Sequence, residues 1–195
     1  VRDNNPEVPL VDYTEIDFKS TTSAGPFEVT APVASEDLTA GGFYLVEWNV
    51  ANTDNRLVNC QIVNIIWASD ARNFNETLKA DVLNTGSAYV KIPEGANTSA
   101  RIMVEAADNI FYNVTDVVSA VEPSDASFDI APLALREDVC LPGDASFNFE
   151  TTGLLGFDAD ITLEVIDGLP ADVSAIWITN PVAAGETAQL SLDFT

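Results

Sequence analysis

The chain predicts an all-β fold, organised as two β-sandwich domains in tandem, and three observations carry that reading. Apolar and polar residues alternate with period two in nearly every segment that looks ordered. The breaks between those segments are rich in Gly, Pro, Asn and Asp. No stretch of about ten or more residues shows a helical period. Short strands at roughly ten-residue spacing are the pattern of sandwiches.

Along 43–50, Tyr44, Val46, Trp48 and Val50 share one face. Segment 62–68 is more continuously apolar, with Val63, Ile65 and Trp67 on one side and Ile62 and Ile66 on the other, which predicts a central strand. Segments 89–92, 100–106, 110–114 and 127–130 continue the series. Within 101–105, Arg101, Met103 and Glu105 face one way while Ile102 and Val104 face the other, as in a sheet with one wet face. In the last third, Ala145, Phe147 and Phe149 alternate with polar residues, as do Ile161, Leu163 and Val165, then Ala188, Leu190, Leu192 and Phe194. The turns Leu141-Pro142-Gly143, Gly168-Leu169-Pro170 and Asn180-Pro181 separate them. A boundary is expected near Ala131-Pro132, where the strand through Phe128 and Ile130 completes one set and the charge balance changes. Residues 1–24 are then a linker or the remnant strand of a preceding module, 25–131 one sandwich, and 132–195 a second, smaller one. Segment 115–126 is longer than a turn requires, and Val117, Val118 and Val121 read as an added hairpin arm.

Composition limits the chemistry. Among 195 residues there are 31 carboxylates, eight Lys and Arg, and no His, for a net charge of −23. Without His, a hydrolase built on a Ser or Cys nucleophile with a His base, or on a His-ligated zinc, is excluded. Carboxylate chemistry or none remains. With 47% apolar residues there is enough core to fold despite the charge. Acidity of this order repels nucleic acid and anionic membrane, and no apolar run approaches the roughly 18 residues of a spanning segment. The start at Val1-Arg2-Asp3, with no export signal, reads as an excised piece of a larger protein.

Residues 132–195 hold eleven carboxylates and one base, Arg136. That excess reads either as a solvated coat for a salty or extracellular medium or as calcium ligands. Calcium candidates are Asp144, Asp158 and Asp160, or Asp3 with Asn4 and Asn5, though no EF-hand loop is present. The acid pairs Glu36-Asp37, Glu137-Asp138 and Asp158/Asp160 are adjacent or alternate, a poor arrangement for a glycosidase dyad because neighbours in a strand point to opposite faces. For sugar binding, Trp67, Trp177, Tyr13, Tyr44, Tyr89 and Tyr112 are the available aromatics. Most fall inside strands, where core packing is the commoner fate, and Trp177 is the best placed for exposure. Cys60 and Cys140 lack metal or redox spacing and read as two buried free thiols. Sequons at Asn75, Asn97 and Asn113 read as chance matches.

Three local patterns go beyond generic β. The first runs from Gly25-Pro26-Phe27-Glu28-Val29-Thr30-Ala31-Pro32 through Val46-Glu47-Trp48-Asn49-Val50-Ala51-Asn52-Thr53 and Val58-Asn59-Cys60, then Ala100-Arg101-Ile102-Met103-Val104 and Asn109-Ile110-Phe111-Tyr112. It resembles the β-sandwich module that follows the catalytic domain in secreted reprolysin-like zinc metallopeptidases of Bacteroidetes-type bacteria. The second is Val139-Cys140-Leu141-Pro142-Gly143-Asp144-Ala145 with Gly156-Phe157, Gly168-Leu169-Pro170-Ala171-Asp172-Val173 and Asn180-Pro181-Val182, and it resembles the immunoglobulin-like module that comes next in those proteins. The third, Val1-Arg2-Asp3-Asn4-Asn5, is similar to the closing strand of a preceding module. One departure stands out: relatives carry an Asp-Gly-Gly turn where this chain has Ser69-Asp70-Ala71-Arg72-Asn73-Phe74, and losing the glycines puts that tight turn in doubt.

None of these motifs is catalytic. The resemblance implies two immunoglobulin-like sandwiches in a secreted or cell-surface multidomain protein, with the catalytic domain elsewhere and other domains of the parent chain as partners. Such a region would act as spacer, stabiliser or substrate-docking arm. Two alternatives stay open. A carbohydrate-binding module predicts a row of exposed aromatics, and an adhesin segment, binding extracellular protein or its own copies, predicts an apolar patch or an unprotected edge strand.

Overall fold

The computed structural model describes residues 13–140 and 142–194, and every regular element among them is a strand. In chain order these are β1 (Glu28–Ala31), β2 (Asp37–Thr39), β3 (Phe43–Asn49), β4 (Ile62–Ala68) and β5 (Glu76–Leu83). Next come β6 (Ser87–Lys91), β7 (Asn97–Ala106), β8 (Tyr112–Val114), β9 (Val118–Val121) and β10 (Ser127–Pro132). The last are β11 (Gly143–Leu154), β12 (Asp160–Ile161), β13 (Val173–Trp177), β14 (Val182–Ala183) and β15 (Thr187–Phe194). No helix among the described residues is long and apolar enough to cross a membrane.

The first half is a sandwich. One sheet has the order β1-β3-β6, and the other β2-β9-β7-β4-β5, with β8 also on β7. Their inner faces meet in one core: Val46, Trp48, Ala88 and Val90 from the first sheet, and Leu38, Val63, Ile65, Trp67, Ile102, Val104, Val118 and Ala120 from the second. Alternation sets the register. In β4, flanked by β5 and β7, Val63, Ile65 and Trp67 are buried while Ile62 and Ile66 are half-buried. In β7 the outward positions are Arg101, Met103 and Glu105.

Segment 115–126 is not an added arm. Val118 and Ala120 are fully buried, because β9 bridges β7 (antiparallel) and β2 (parallel) inside the larger sheet. Thr115, also buried, anchors its approach by taking the Ile102 N–H on Oγ1 and donating its own N–H to the Ile102 carbonyl.

The second half is smaller. The sheet β10-β11-β15-β13 is faced by the short pair β12-β14, and the core reduces to Ile161, Val182 and Ala188 with Phe157, Leu163, Trp177 and Ala184 packed against them. The boundary drawn at Ala131-Pro132 falls inside β10. The strand expected to complete the first sandwich instead pairs along its length with β11, from Ser127 opposite Leu154 to Pro132 opposite Phe149. The strand expected through Ile161, Leu163 and Val165 stops at Ile161. Beyond it the Asn180 side chain substitutes for a ladder, accepting the Leu163 N–H at 2.9 Å and donating to the Leu163 carbonyl at 2.7 Å.

A buried polar cluster ties the first core to its longest loop. Asn84 Oδ1 accepts from Trp48 Nε1 at 2.8 Å, and Asn84 Nδ2 donates to Thr53 Oγ1 at 2.9 Å and to the Cys60 carbonyl at 3.0 Å. Cys60 is buried and free, and burial, with Asp108 adding to it, pushes its thiol pKa up. Cys140 is also free but exposed, contrary to the expected burial, because it lies in an irregular surface stretch before β11.

Candidate functional site

The calcium candidates are not brought together. Asp144 enters β11 opposite Asp193 of β15, both exposed. Asp158 and Asp160 lie beyond the other end of β11, where the Phe157 carbonyl packs against Gly153. At about 3.3 Å per residue the intervening strand puts roughly 30 Å between Asp144 and those two. No group of three or more potential ligands forms among the described residues. Asp3, Asn4 and Asn5 lie outside the described residues, as does the Val1 to Asn5 motif.

One acid in each of two of these pairs is engaged structurally. Glu36 accepts the Tyr44 O–H at 2.7 Å on one oxygen and the Val33 N–H at 2.9 Å on the other. Asp138 pairs with exposed Arg136 at 2.8 Å. Burial first, then the Glu36 hydrogen bond and the charges of Glu36 and Glu47, raise the Tyr44 pKa well above its ordinary 10.0. A phenol favoured in its protonated form by folding contributes stability that is complete below pH 10 and is lost as pH climbs toward its raised value. Urea midpoints measured stepwise above pH 10 are therefore expected to fall more steeply in the native chain than in Tyr44→Phe.

Aromatics do not form a platform. Trp48 and Trp67 are core residues, and Tyr44 packs against the same core. Trp177, the best placed of these for exposure though core packing is the favoured reading of the sequence, is half-buried against the second core, its ring edge-on to Phe149 with centroids 5.3 Å apart. Tyr13 and Tyr112 are exposed, the first on the irregular N-terminal segment and the second on β8.

The turn at Asp70 survives without glycine. Asp70 Oδ1 accepts from the Arg72 and Asn73 N–H groups, and Oδ2 from the Asn73 side-chain amide, which together hold the Asp70 pKa below its ordinary value. Ala71 adopts φ 61°, a left-handed conformation that costs a residue with a Cβ roughly 1–2 kcal/mol. Ala71→Gly is expected to raise stability by about 0.5–1 kcal/mol, read from the urea midpoint at unchanged slope.

A constructed polar site lies where the two halves of the chain meet. Asp129 of β10 accepts the Phe43 N–H of β3 on Oδ2 at 2.8 Å. The fit is close: a Cβ on Gly42 would lie 3.1 Å from that oxygen and 3.2 Å from Thr39 Cβ. Gly41, at φ 77°, brings its backbone against Leu154 of β11. On the other side, Lys79 Nζ donates to the Leu133 carbonyl at 3.1 Å and to the Tyr89 carbonyl at 3.2 Å. Burial lowers the Lys79 pKa, opposed by the charge of Glu150. A groove of about 500 Å³ runs between β5, β6 and segment 132–138, with Lys79, Leu83, Tyr89, Leu133 and Arg136 among its walls. Neither Lys79 nor Asp129 stands out in the sequence, since each is one charge among many on a polar strand face.

These elements define an all-β chain of sandwich modules with separate hydrophobic cores. No family model matches the chain, and no curated protein sequence matches it. Among solved structures it is similar to one described as fibronectin(III)-like modules of Clostridium thermocellum CbhA, at 12% identity and a TM-score of 0.31, covering 87% of this chain and 74% of that one.

Proposed function

We propose that the chain is a non-catalytic accessory region of a secreted, multidomain bacterial protein, in which two sandwiches joined stiffly hold a neighbouring domain at a fixed reach. The junction supports this reading most directly. A flexible tether would join its modules through Gly and Ser, whereas here the linker is gripped from both sides, by Asp129 on Phe43 and by Lys79 on Leu133. The motif order quoted above favours a reprolysin-like zinc metallopeptidase as the parent. Its zinc chemistry would belong to another domain, because this chain has no His to offer. The carboxylate excess then serves as a solvating coat outside the cell.

Incubating the 195-residue chain with peptide and glycan panels, with and without calcium, tests the proposal. No turnover and no glycan retention are expected. Hydrolysis of either class would overturn the non-catalytic reading, and calcium-independent retention of a glycan would transfer the role to a sugar-binding module.

A further inference from the structure

Among the described residues, the edges of the sheets with three or more strands are blocked in the ways natural sheets use to prevent pairing with other chains, with one exception. β5 carries Glu76, Lys79 and Asp81 and its register with β4 shifts twice. β1 is bulged between Val29 and Ala31, and Asn113 Oδ1 takes its Val29 N–H. β2 is three residues long and starts at Asp37. β10 contains Asp129 and ends at Pro132, and β6 ends in Lys91 with its Tyr89 carbonyl held by Lys79.

β13 has none of these devices. Its residues are uncharged, include no Pro and keep an unbroken register with β15. No charged residue occurs between Asp172 and Glu186. It is the outermost strand of its sheet, and among the described residues no strand pairs with its far side. Ile178 N–H donates to the Gln189 carbonyl at 2.8 Å. By antiparallel alternation Ile176 and Ser174 also turn their backbone groups toward β15, whereas Ala175 and Trp177 turn theirs outward. Ile176 and Ile178, 64% and 59% exposed, stand beside that edge.

We propose that β13 is a docking edge that accepts an extended segment of another polypeptide as an added strand, apolar opposite Ile176 and bearing Lys or Arg at its ends. The charge of the partner follows from that of the module. Residues 132–195 hold eleven carboxylates and a single base, and Asp144, Asp193 and Ser174 lie in one row across the sheet at the Val173 end of the strand. A second copy would bring the same carboxylates to the same edge, while a cationic strand is drawn to it. The inference stands on β13 and does not depend on the spacer reading.

Backbone hydrogen exchange on the 195-residue chain tests it, with a short synthetic peptide of alternating Val and Thr flanked by Lys as the probe. Exchange at Ala175 and Trp177 is expected to slow by about tenfold or more with this peptide, and far less with a Glu-flanked counterpart. Ala175→Pro removes the outward donor and is expected to abolish the protection. Ile176→Lys, a change at an exposed position outside the core, is expected to do the same by repelling the probe. Unchanged exchange at both amides, or protection confined to other strands, overturns the proposal. So does protection that grows with protein concentration alone and accompanies a sedimenting dimer, which would make a second copy the occupant.

Discussion

Asn84→Ala is expected to destabilise the first sandwich by about 3–5 kcal/mol, measured by urea unfolding. The side chain itself is small; the cost comes from what it leaves behind. Trp48 Nε1 loses its acceptor, and the Cys60 carbonyl and Thr53 hydroxyl lose a donor, in a region where all three residues are buried. Each stranded group costs about 1–3 kcal/mol when water cannot replace its partner. The damage extends along the loop, because Ala51, Asn52 and Asn59 hold φ of 50°, 61° and 57°. Such residues keep left-handed conformations only where their surroundings over-determine them. Trp48→Phe, which removes one donor and keeps most of the packing, is expected to cost less, about 1–2 kcal/mol. A loss under about 1 kcal/mol for Asn84→Ala would contradict its role as the anchor of this loop.

Ile161→Ala is expected to uncouple the two cores. Ile161, Val182 and Ala188 are the fully buried residues of the second cluster, so truncating Ile161 removes a large share of a small core, about 2–5 kcal/mol. The three Trp residues report separately, Trp48 and Trp67 from the first core and Trp177 from the second. In the variant, the native indole N–H signal of Trp177 should disappear at a lower urea concentration than those of Trp48 and Trp67. Loss of all three at one midpoint would mean that the cores unfold as a single unit.

The strands that were legible in the sequence are chiefly those with one wet face. β3 and β7 alternate because their outward positions are polar or half-exposed and their inward positions meet another sheet, whereas β4 was legible as a continuously apolar central strand. β13 was not legible: Val173, Ala175 and Trp177 share a half-buried face, with Trp177 on the small core, yet Ile176 on the outer side is also apolar, and the strand is short. β5 was missed for the opposite reason, being a polar edge strand whose register shifts near Lys79 and Asp81. The allegiance of β10 depended on pairing between strands, which alternation does not encode.

Charge and composition excluded whole classes of chemistry but did not reveal where carboxylates would meet. Asp144 finds Asp193 rather than Asp158 or Asp160, because the partner is chosen by antiparallel register across β11 and β15. The Ser69 to Phe74 turn closes without a glycine. Asp70 supplies the closing hydrogen bonds, and Ala71 tolerates the left-handed position at a modest cost. In the Trp48, Thr53 and Cys60 motif the sequence pattern was visible, but the residue that joins all three, Asn84, lies on a different segment.

In the proposed arm, Asp129 on Phe43 and Lys79 on Leu133 lock two separately cored sandwiches together. Residual dipolar couplings for backbone amides measure it most directly, comparing β4 and β7 in the first sandwich with β11 and β15 in the second. Both sets are expected to fit a single alignment tensor in the native chain, and to separate when Asp129→Ala is combined with Lys79→Met. Two independent tensors in the native chain would rule out a stiff junction.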